Sequence, residues 1–408
     1  MRIDTTNPPG DVAPTADWIE TVLQKEGLAT VRVGPSPDKA NVATTIGGPG
    51  KPLVLAHHMD VVPAVGADWS VDPFAAEVRD RYVYGRGVID MKGFGVLSLL
   101  CLFALERSGA GLKRPLRVIA TADEEVGGVL GAKWLADNHL DDFGGEYLFT
   151  EGGFARQGTR ALYYPIVVAE KGVSTIKLTA RGKPGHASAP TADNAVVRIG
   201  RAVAKLGDFR SPPTGRRFAS AYLGAFGHDV DAMSDDDIEA QIGRLAGSAR
   251  TVNILRNTFT PTMVQAGVGQ NVIPATAEAY VDCRSIPGVS ADDILEELAG
   301  AVDDPEVKFE FVKASVGTES PADTELYGAL EGAIKAERPE AKVFPSLTGG
   351  GTDAKHFRPQ GVTCYGLIPV ILDDDAGGIH GIDERISIDN FDHALRVMLR
   401  VVVEMCVA

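Results

Sequence analysis

His58-Met59-Asp60, Asp90, the adjacent Glu124 and Glu125, Glu151 and a late His380 are residue types that bind divalent cations, and nearly all stand just after a short apolar run. Two histidines with three carboxylates suffice for two ions if one carboxylate bridges, and nitrogen and oxygen donors of this kind suit zinc. One acidic residue is then left over. Hydrolysis needs such a surplus, because the attacking water must lose its proton to a nearby base. A two-metal hydrolase is the expectation.

Elements able to hold these residues are visible around them. Pro52 to Ala56, Tyr82 to Tyr84, Leu116 to Ala120 and Tyr147 to Phe149 are apolar without strict alternation and read as buried strands. Phe94 to Arg107 and Val129 to Asn138 read as helices between them. Strand, helix, strand with charged residues at the strand ends predicts a doubly wound, mostly parallel α/β sheet whose rim carries the site.

From Val173 the pattern changes. Ser174 to Ala180 alternates as a half-exposed strand, Asn194 to Leu206 is an amphipathic helix, and strand Thr258 to Ala266, strand Thr276 to Arg284, helix Ala291 to Val302 and strand Val307 to Val312 follow. The order β-α-β-β-α-β predicts an inserted α+β, ferredoxin-like domain over 173–314. Between its first helix and second strand, Gly207 to Asn253 reads as a helical excursion with Ser234 as an N-cap. A helix from Ala322 to Ala336, a Gly349-Gly350-Gly351 loop, a strand near Thr363 to Val370 and a helix from Phe391 to Cys406 then resume the first pattern. The outer domain is expected to be discontinuous, over 1–172 and 315–408.

With 408 residues, 44% hydrophobic and 23% charged, the composition is that of a globular protein too long for one ordinary core. A net charge of −15 with no Lys/Arg cluster argues against nucleic acid or anionic membrane as partner and favours a small molecule. Cys101, Cys283, Cys364 and Cys406 are scattered without CxxC pairing, as expected of free thiols in a reducing cytoplasm. The most apolar helical run, Val96 to Leu105, is far shorter than the ~20 residues a bilayer needs. No signal-peptide pattern is visible at Met1-Arg2-Ile3-Asp4.

The residues in order match a family. The chain resembles the zinc-dependent peptidases and deacylases that include carboxypeptidase G, aminoacylase, acetylornithine deacetylase, succinyl-diaminopimelate desuccinylase and carboxypeptidase S. The resemblance rests on TTNPPG at 5–10, HMDVVP at 58–63, GRGVIDMK at 85–92, DEE at 123–125, EGG at 151–153, GHAS at 185–188, NVIP at 271–274 and HG at 380–381. Glu151-Gly-Gly-Phe154 with Glu170-Lys-Gly172 looks closest to the carboxypeptidase S and aminoacylase branch.

The resemblance implies two zinc ions per subunit, with cobalt or manganese as substitutes. Asp90 would bridge them, His58 and Glu151 would complete one site, and Glu125 and His380 the other. Glu124 would be the general base, and Asp60 would hydrogen-bond the far nitrogen of His58. The Asp90–Met91 peptide would be cis. His57, one residue from a ligand on a strand, would point to the opposite face as a bystander.

The inserted domain would act as a lid and dimerise the protein. His186 would reach the partner's site as an oxyanion donor, Asn271 and Arg284 would hold substrate, and Gly350 and Gly351 would let substrate backbone approach. The activity implied is hydrolysis of the amide bond of an N-acyl amino acid or small peptide bearing a free carboxylate. A dipeptidase or aminopeptidase would instead need an acidic anchor for a free ammonium, for which Asp373-Asp374-Asp375 is the candidate. A non-catalytic scaffold of the same fold would be marked by missing ligands, and none is missing.

Overall fold

The computed structural model describes residues 1–158, 161–246, 253–372 and 378–408. The chain divides into two compact units, one of Met1–Val168, Ser320–Ser346 and Thr352–Ala408, the other of Ala169–Glu319 with Leu347–Gly351. No linker marks the passage at 169, because strand Leu162–Glu170 runs almost directly into strand Gly172–Arg181. The backbone N–H of Lys171 donates to the Thr348 carbonyl at 3.0 Å and draws the glycine loop to the second unit.

In the first unit the strands lie in the order Val31–Val33, Asn41–Ile46, Leu116–Thr121, Leu53–His58, Tyr147–Gln157, Thr363–Leu372 and Leu162–Glu170. The central four are parallel and the flanking pairings antiparallel. Leu53–His58 is buried at every position, which is why its sequence shows a continuous apolar run instead of alternation. Val54 and Ala56 face Leu135, Phe143 and Phe357 on one side of the sheet. On the other side lies helix Lys92–Ser108, which packs against helix Ile388–Cys406. The latter starts at Ser387, whose Oγ accepts the Asn390 N–H at 3.1 Å, and it buries Val397, Val401, Val402 and Met405 along one stripe. Each such side chain contributes about 1.5–3 kcal/mol on burial.

Three expectations for this unit are corrected. Tyr82–Tyr84 is half-buried and belongs to a separate three-stranded sheet with Arg385–Ser387 and Val78–Arg79. Residues 129–138 are not one helix: the backbone at Gly131 leaves helical geometry, and it passes so close to the strand end that a Cβ there would lie 1.7 Å from the Ala122 carbonyl oxygen. Only Trp134–Asn138 continues as α-helix. The strand expected to stop at Phe149 continues to Gln157, so Glu151 lies within it.

Two glycines allow that extension. Gly152 has φ +141°, and a Cβ on Gly366 of the neighbouring strand would stand 2.1 Å from the Glu151 carbonyl oxygen.

The second unit is an antiparallel sheet in the order Thr258–Ala266, Thr276–Ser285, Gly172–Arg181, Val307–Lys313. Strict alternation along Gly172–Arg181 places Ile176, Leu178 and Ala180 against helices Ala195–Asp208 and Ala291–Val302. Both helices are capped as their sequences suggest. The Asn194 side chain accepts from Val196 and Val197, and Ser290 with Asp293 forms a capping box. Among the described residues the helical excursion contains Arg216–Ala225 and Asp235–Ala246, the latter with Ser234 Oγ accepting the Asp237 N–H at 3.2 Å.

The tight pairing at Gly366 yields a prediction. Gly366→Ala should push the Glu151 strand aside and destabilise the first unit by about 1–3 kcal/mol, the usual effect of overpacking. Differential scanning calorimetry should record a lower Tm, and an unchanged transition would mean that the two strands have room for a methyl group.

Candidate active site

The site assembles at the carboxyl ends of the central strands. His58 ends its strand fully buried, with Nδ1 donating to the backbone carbonyl of Asp60 at 2.9 Å and Nε2 facing Asp90 Oδ1 at 3.0 Å and Glu151 Oε1 at 3.7 Å. Fixing the Nδ1 proton in this way leaves the Nε2 lone pair for a cation. His57 points the other way, where its ring would meet a Cβ on Gly95, and burial pushes its imidazolium down to about 3.

The role expected of the Asp60 side chain is corrected. Its Oδ1 is 3.7 Å from His58 Nδ1, and the carboxylate accepts instead from the backbone N–H groups of Glu124 and Glu125, each at 3.2 Å, and from Asn7 Nδ2 at 2.8 Å. The physical reason is local. The turn Glu124–Val126 begins with N–H groups that have no partner in the turn, and a buried carboxylate beside them satisfies two at once. Asp123 precedes the turn in the left-handed region, φ +72°, and its Oδ2 accepts the Leu130 N–H.

Asp90 lies between the two histidines with one oxygen toward each, Oδ1 to His58 and Oδ2 to His380 Nε2 at 3.2 Å. His380 Nε2 also lies 3.3 Å from Glu125 Oε2, while Glu125 Oε1 accepts the Val62 N–H. Donor atoms of His58, Glu124 and Glu151 fall within 4.8 Å of one another, as do those of His58, Asp90 and Glu125. The Asp90–Met91 peptide is cis.

Charge in this pocket is one-sided. Burial pushes the Glu124 carboxyl up to about 8, and the nearby Asp353 adds to the shift. Glu151 is raised well above its ordinary value by burial and by Asp90. Burial would also raise Asp90, but its hydrogen bonds with His380 and His58 hold it below the usual range. Burial opposes the His58 imidazolium, yet Asp90 and Glu151 carry it well above its ordinary value. Hydrogen bonds to Asp90 and then Glu125 raise His380 to about 10. Imidazole and carboxylate donors converging in such a field fit divalent cations, which would replace the protons.

Asp353 was missed as a site residue. Its Oδ2 accepts the Thr121 hydroxyl at 2.6 Å, its Oδ1 is buried with no hydrogen-bond partner among the described residues, and a Cβ on Gly128 would stand 2.7 Å from that oxygen. It therefore lies beneath the Glu124–Gly128 segment. Its place after the glycine loop was the available signal.

The other expected site residues belong to the second unit. His186 is exposed, with Nδ1 2.8 Å from Ser188 Oγ, and its two-residue strand pairs with Val272–Ile273 beside Asn271, whose carbonyl accepts the Ala187 N–H. Arg284 pairs with Asp282 through Nε at 2.8 Å and Nη2 at 3.2 Å, and its Nη1 donates to the Gly349 carbonyl at 3.1 Å. The Gly350 N–H donates to Thr348 Oγ1, and Gly351 closes the same loop segment. Asp373-Asp374-Asp375 lies outside the described residues.

A family model described as peptidase family M20/M25/M40 matches residues 54–404. The chain belongs to that family. M20 relatives include the probable carboxypeptidase S-like 2 of Dictyostelium discoideum, 29% identical over 362 residues that cover 84% of this chain and 69% of that one. The N-fatty-acyl-amino acid synthase/hydrolase PM20D1.1 of Danio rerio is 30% identical over 375 residues, covering 84% and 70%. The crystal structure of the M20 family metallo-carboxypeptidase Sso-CP2 from Sulfolobus solfataricus shares the fold, with a TM-score of 0.71 at 17% identity over 98% of this chain and 95% of that one. The family and branch read from the motifs are borne out. As an M20 protein the chain is a metal-dependent hydrolase of amide bonds. Among the described residues no helix is long and apolar enough to cross a membrane, and the four cysteines are buried and form no disulfide.

Because the surrounding carboxylates raise the proton affinity of His58 and His380, metal uptake competes with protons at these rings. Titrating zinc into the apoprotein at pH 7 should release protons, and apparent affinity should weaken as the pH falls. Calorimetry in buffers of different ionisation enthalpy reads this directly, and heats independent of the buffer would contradict it.

Proposed function

We propose that the protein is a di-zinc amidohydrolase that cleaves an N-acyl amino acid or a small peptide with a free carboxylate. The observation that carries this reading is Asp90, placed with one carboxylate oxygen toward each of two histidines, beside a carboxylate not needed for the ligand count. His58 and Glu151 would hold one ion, Glu125 and His380 the other, and Asp90 both. When bound, such ions polarise the scissile carbonyl and acidify the attacking water.

The remaining work falls to the chain. Glu124 takes the proton of the water and returns it to the leaving amine, a task suited to a carboxyl raised toward neutrality by burial. Asp60 keeps Glu124 and Glu125 aimed by holding their backbone. His186, supplied by the second unit of a partner subunit, donates to the developing oxyanion; its exposed ring supports that assignment. Asp282 holds two nitrogens of Arg284, leaving Nη1 to exchange the Gly349 carbonyl for the carboxylate of the substrate. Asn271 and the loop at Gly350 and Gly351 line the substrate. The names of the two relatives, a carboxypeptidase S-like protein and an N-fatty-acyl-amino acid synthase/hydrolase, support the substrate class. Four buried cysteines with no disulfide among the described residues support a cytoplasmic location.

Glu124→Gln should keep both metals and the fold while lowering kcat by about 10²–10⁴, because it removes proton transfer and preserves shape. Near-native turnover would remove Glu124 as base. An acetylated amino acid and an unblocked dipeptide, assayed side by side, should show preference for the acetylated substrate; preference for the free amine would favour a dipeptidase. Mixing the inactive His186→Ala and Glu124→Gln variants under subunit exchange should restore part of the activity, since one hybrid site then holds both groups intact. No recovery despite proven exchange would place His186 outside its partner's chemistry.

A further inference from the structure

The first unit contains a fully buried ion pair for which the reaction above has no use. Glu384 accepts four N–H groups: Oε1 from Ile89 at 2.7 Å and Asp90 at 3.2 Å, Oε2 from Gly87 at 3.1 Å and Arg86 Nη1 at 2.8 Å. Arg86, only 3% exposed, directs Nη2 at the carbonyls of Pro63 and His380, both 3.5 Å away, and lies over the Trp69 ring. One pair thus touches the turn that delivers Asp90, the segment that follows His58, and the segment that begins with His380.

His380 depends on this contact. It has φ +61° and Asp383 has φ +56°, so the backbone from 380 to 383 follows no regular element. Order returns only at Glu384, whose carbonyl accepts the Gly85 N–H at 3.0 Å, and at Arg385–Ser387, which pairs with Tyr82–Tyr84. The pair is also an inefficient source of stability, because Arg86 Nε is buried without a hydrogen-bond partner among the described residues and buried ion pairs seldom repay their desolvation. It acts better as a spacer: four donors converging on one carboxylate admit one arrangement of the backbone at 86–90.

We propose that Arg86 and Glu384 are positioning residues that set the separation of Asp90 from His380, and so determine the affinity of the metal site these two form with Glu125. The proposal rests on the two-metal reading. The site of His58 and Glu151, which touches the pair only through Asp90, should feel it less.

The test is metal uptake by the full-length protein, by calorimetric zinc titration with metal analysis after dialysis. Wild type should bind two ions. E384Q places an amide NH2 against backbone donors, and it should bind one ion nearly as wild type and the other about 10–100-fold more weakly, the range seen when groups supporting metal ligands are removed. Its kcat should recover at high zinc with KM little changed. Should E384Q fail to fold, Arg86→Lys keeps the charge but loses the fork to Pro63 and His380, and should show the same selective weakening to a smaller degree. Two ions bound with wild-type affinity in a folded variant, even one with a lowered Tm, would overturn the proposal and leave a structural role. A wild type that binds fewer than two ions would overturn the two-metal reading itself, and that is seen without any variant.

Discussion

Everything about the site follows from a conflict: Asp90, Glu124, Glu125 and Glu151 converge in a buried pocket, and like charges so placed cannot all remain ionised alone. Such an arrangement persists only if the backbone is held in place by means that do not depend on the carboxylates themselves. Asp60 supplies part of that hold by gripping the backbone of Glu124 and Glu125, and the parallel sheet supplies another by ending at His58 and Thr121 in register. The outstanding negative charge is then available to bind cations instead of distorting the fold.

Position in the sheet divides the labour. His57 and His58 are chemically identical neighbours, yet the two-residue period of the strand sends one against Gly95 and the other to the carboxylates. The first is held neutral by burial, whereas the second is held charged by its partners. The same economy appears at Asp90, where one short side chain faces two histidines that are far apart in sequence.

Much of this was legible before any coordinates. Residues with metal chemistry stood after apolar runs, and the β-α-β-β-α-β order of the second unit is realised as an antiparallel sheet with both helices on one face. What escaped was tertiary in origin. The strand through Glu151 continues because Gly152 and Gly366 let two backbones approach, which no periodicity records. The 129–138 segment has the spacing of a helix, but its backbone kinks at Gly131, where the close Ala122 carbonyl leaves no space for a side chain. Asp60 was expected from the family resemblance to bond His58, while the donors it serves, Asn7, Glu124 and Glu125, lie more than fifty residues away. The contacts of Asp353 and of the Arg86–Glu384 pair are likewise assembled from distant segments, which their neighbouring motifs do not reveal.

The central claim is that Asp90 bridges two ions. Anomalous diffraction from crystals of the zinc-loaded protein measures this most directly. The account predicts two peaks about 3.5–4 Å apart, with the Asp90 carboxylate between them, His58 and Glu151 on one peak and Glu125 and His380 on the other. A single peak, or two peaks that Asp90 does not join, would contradict it.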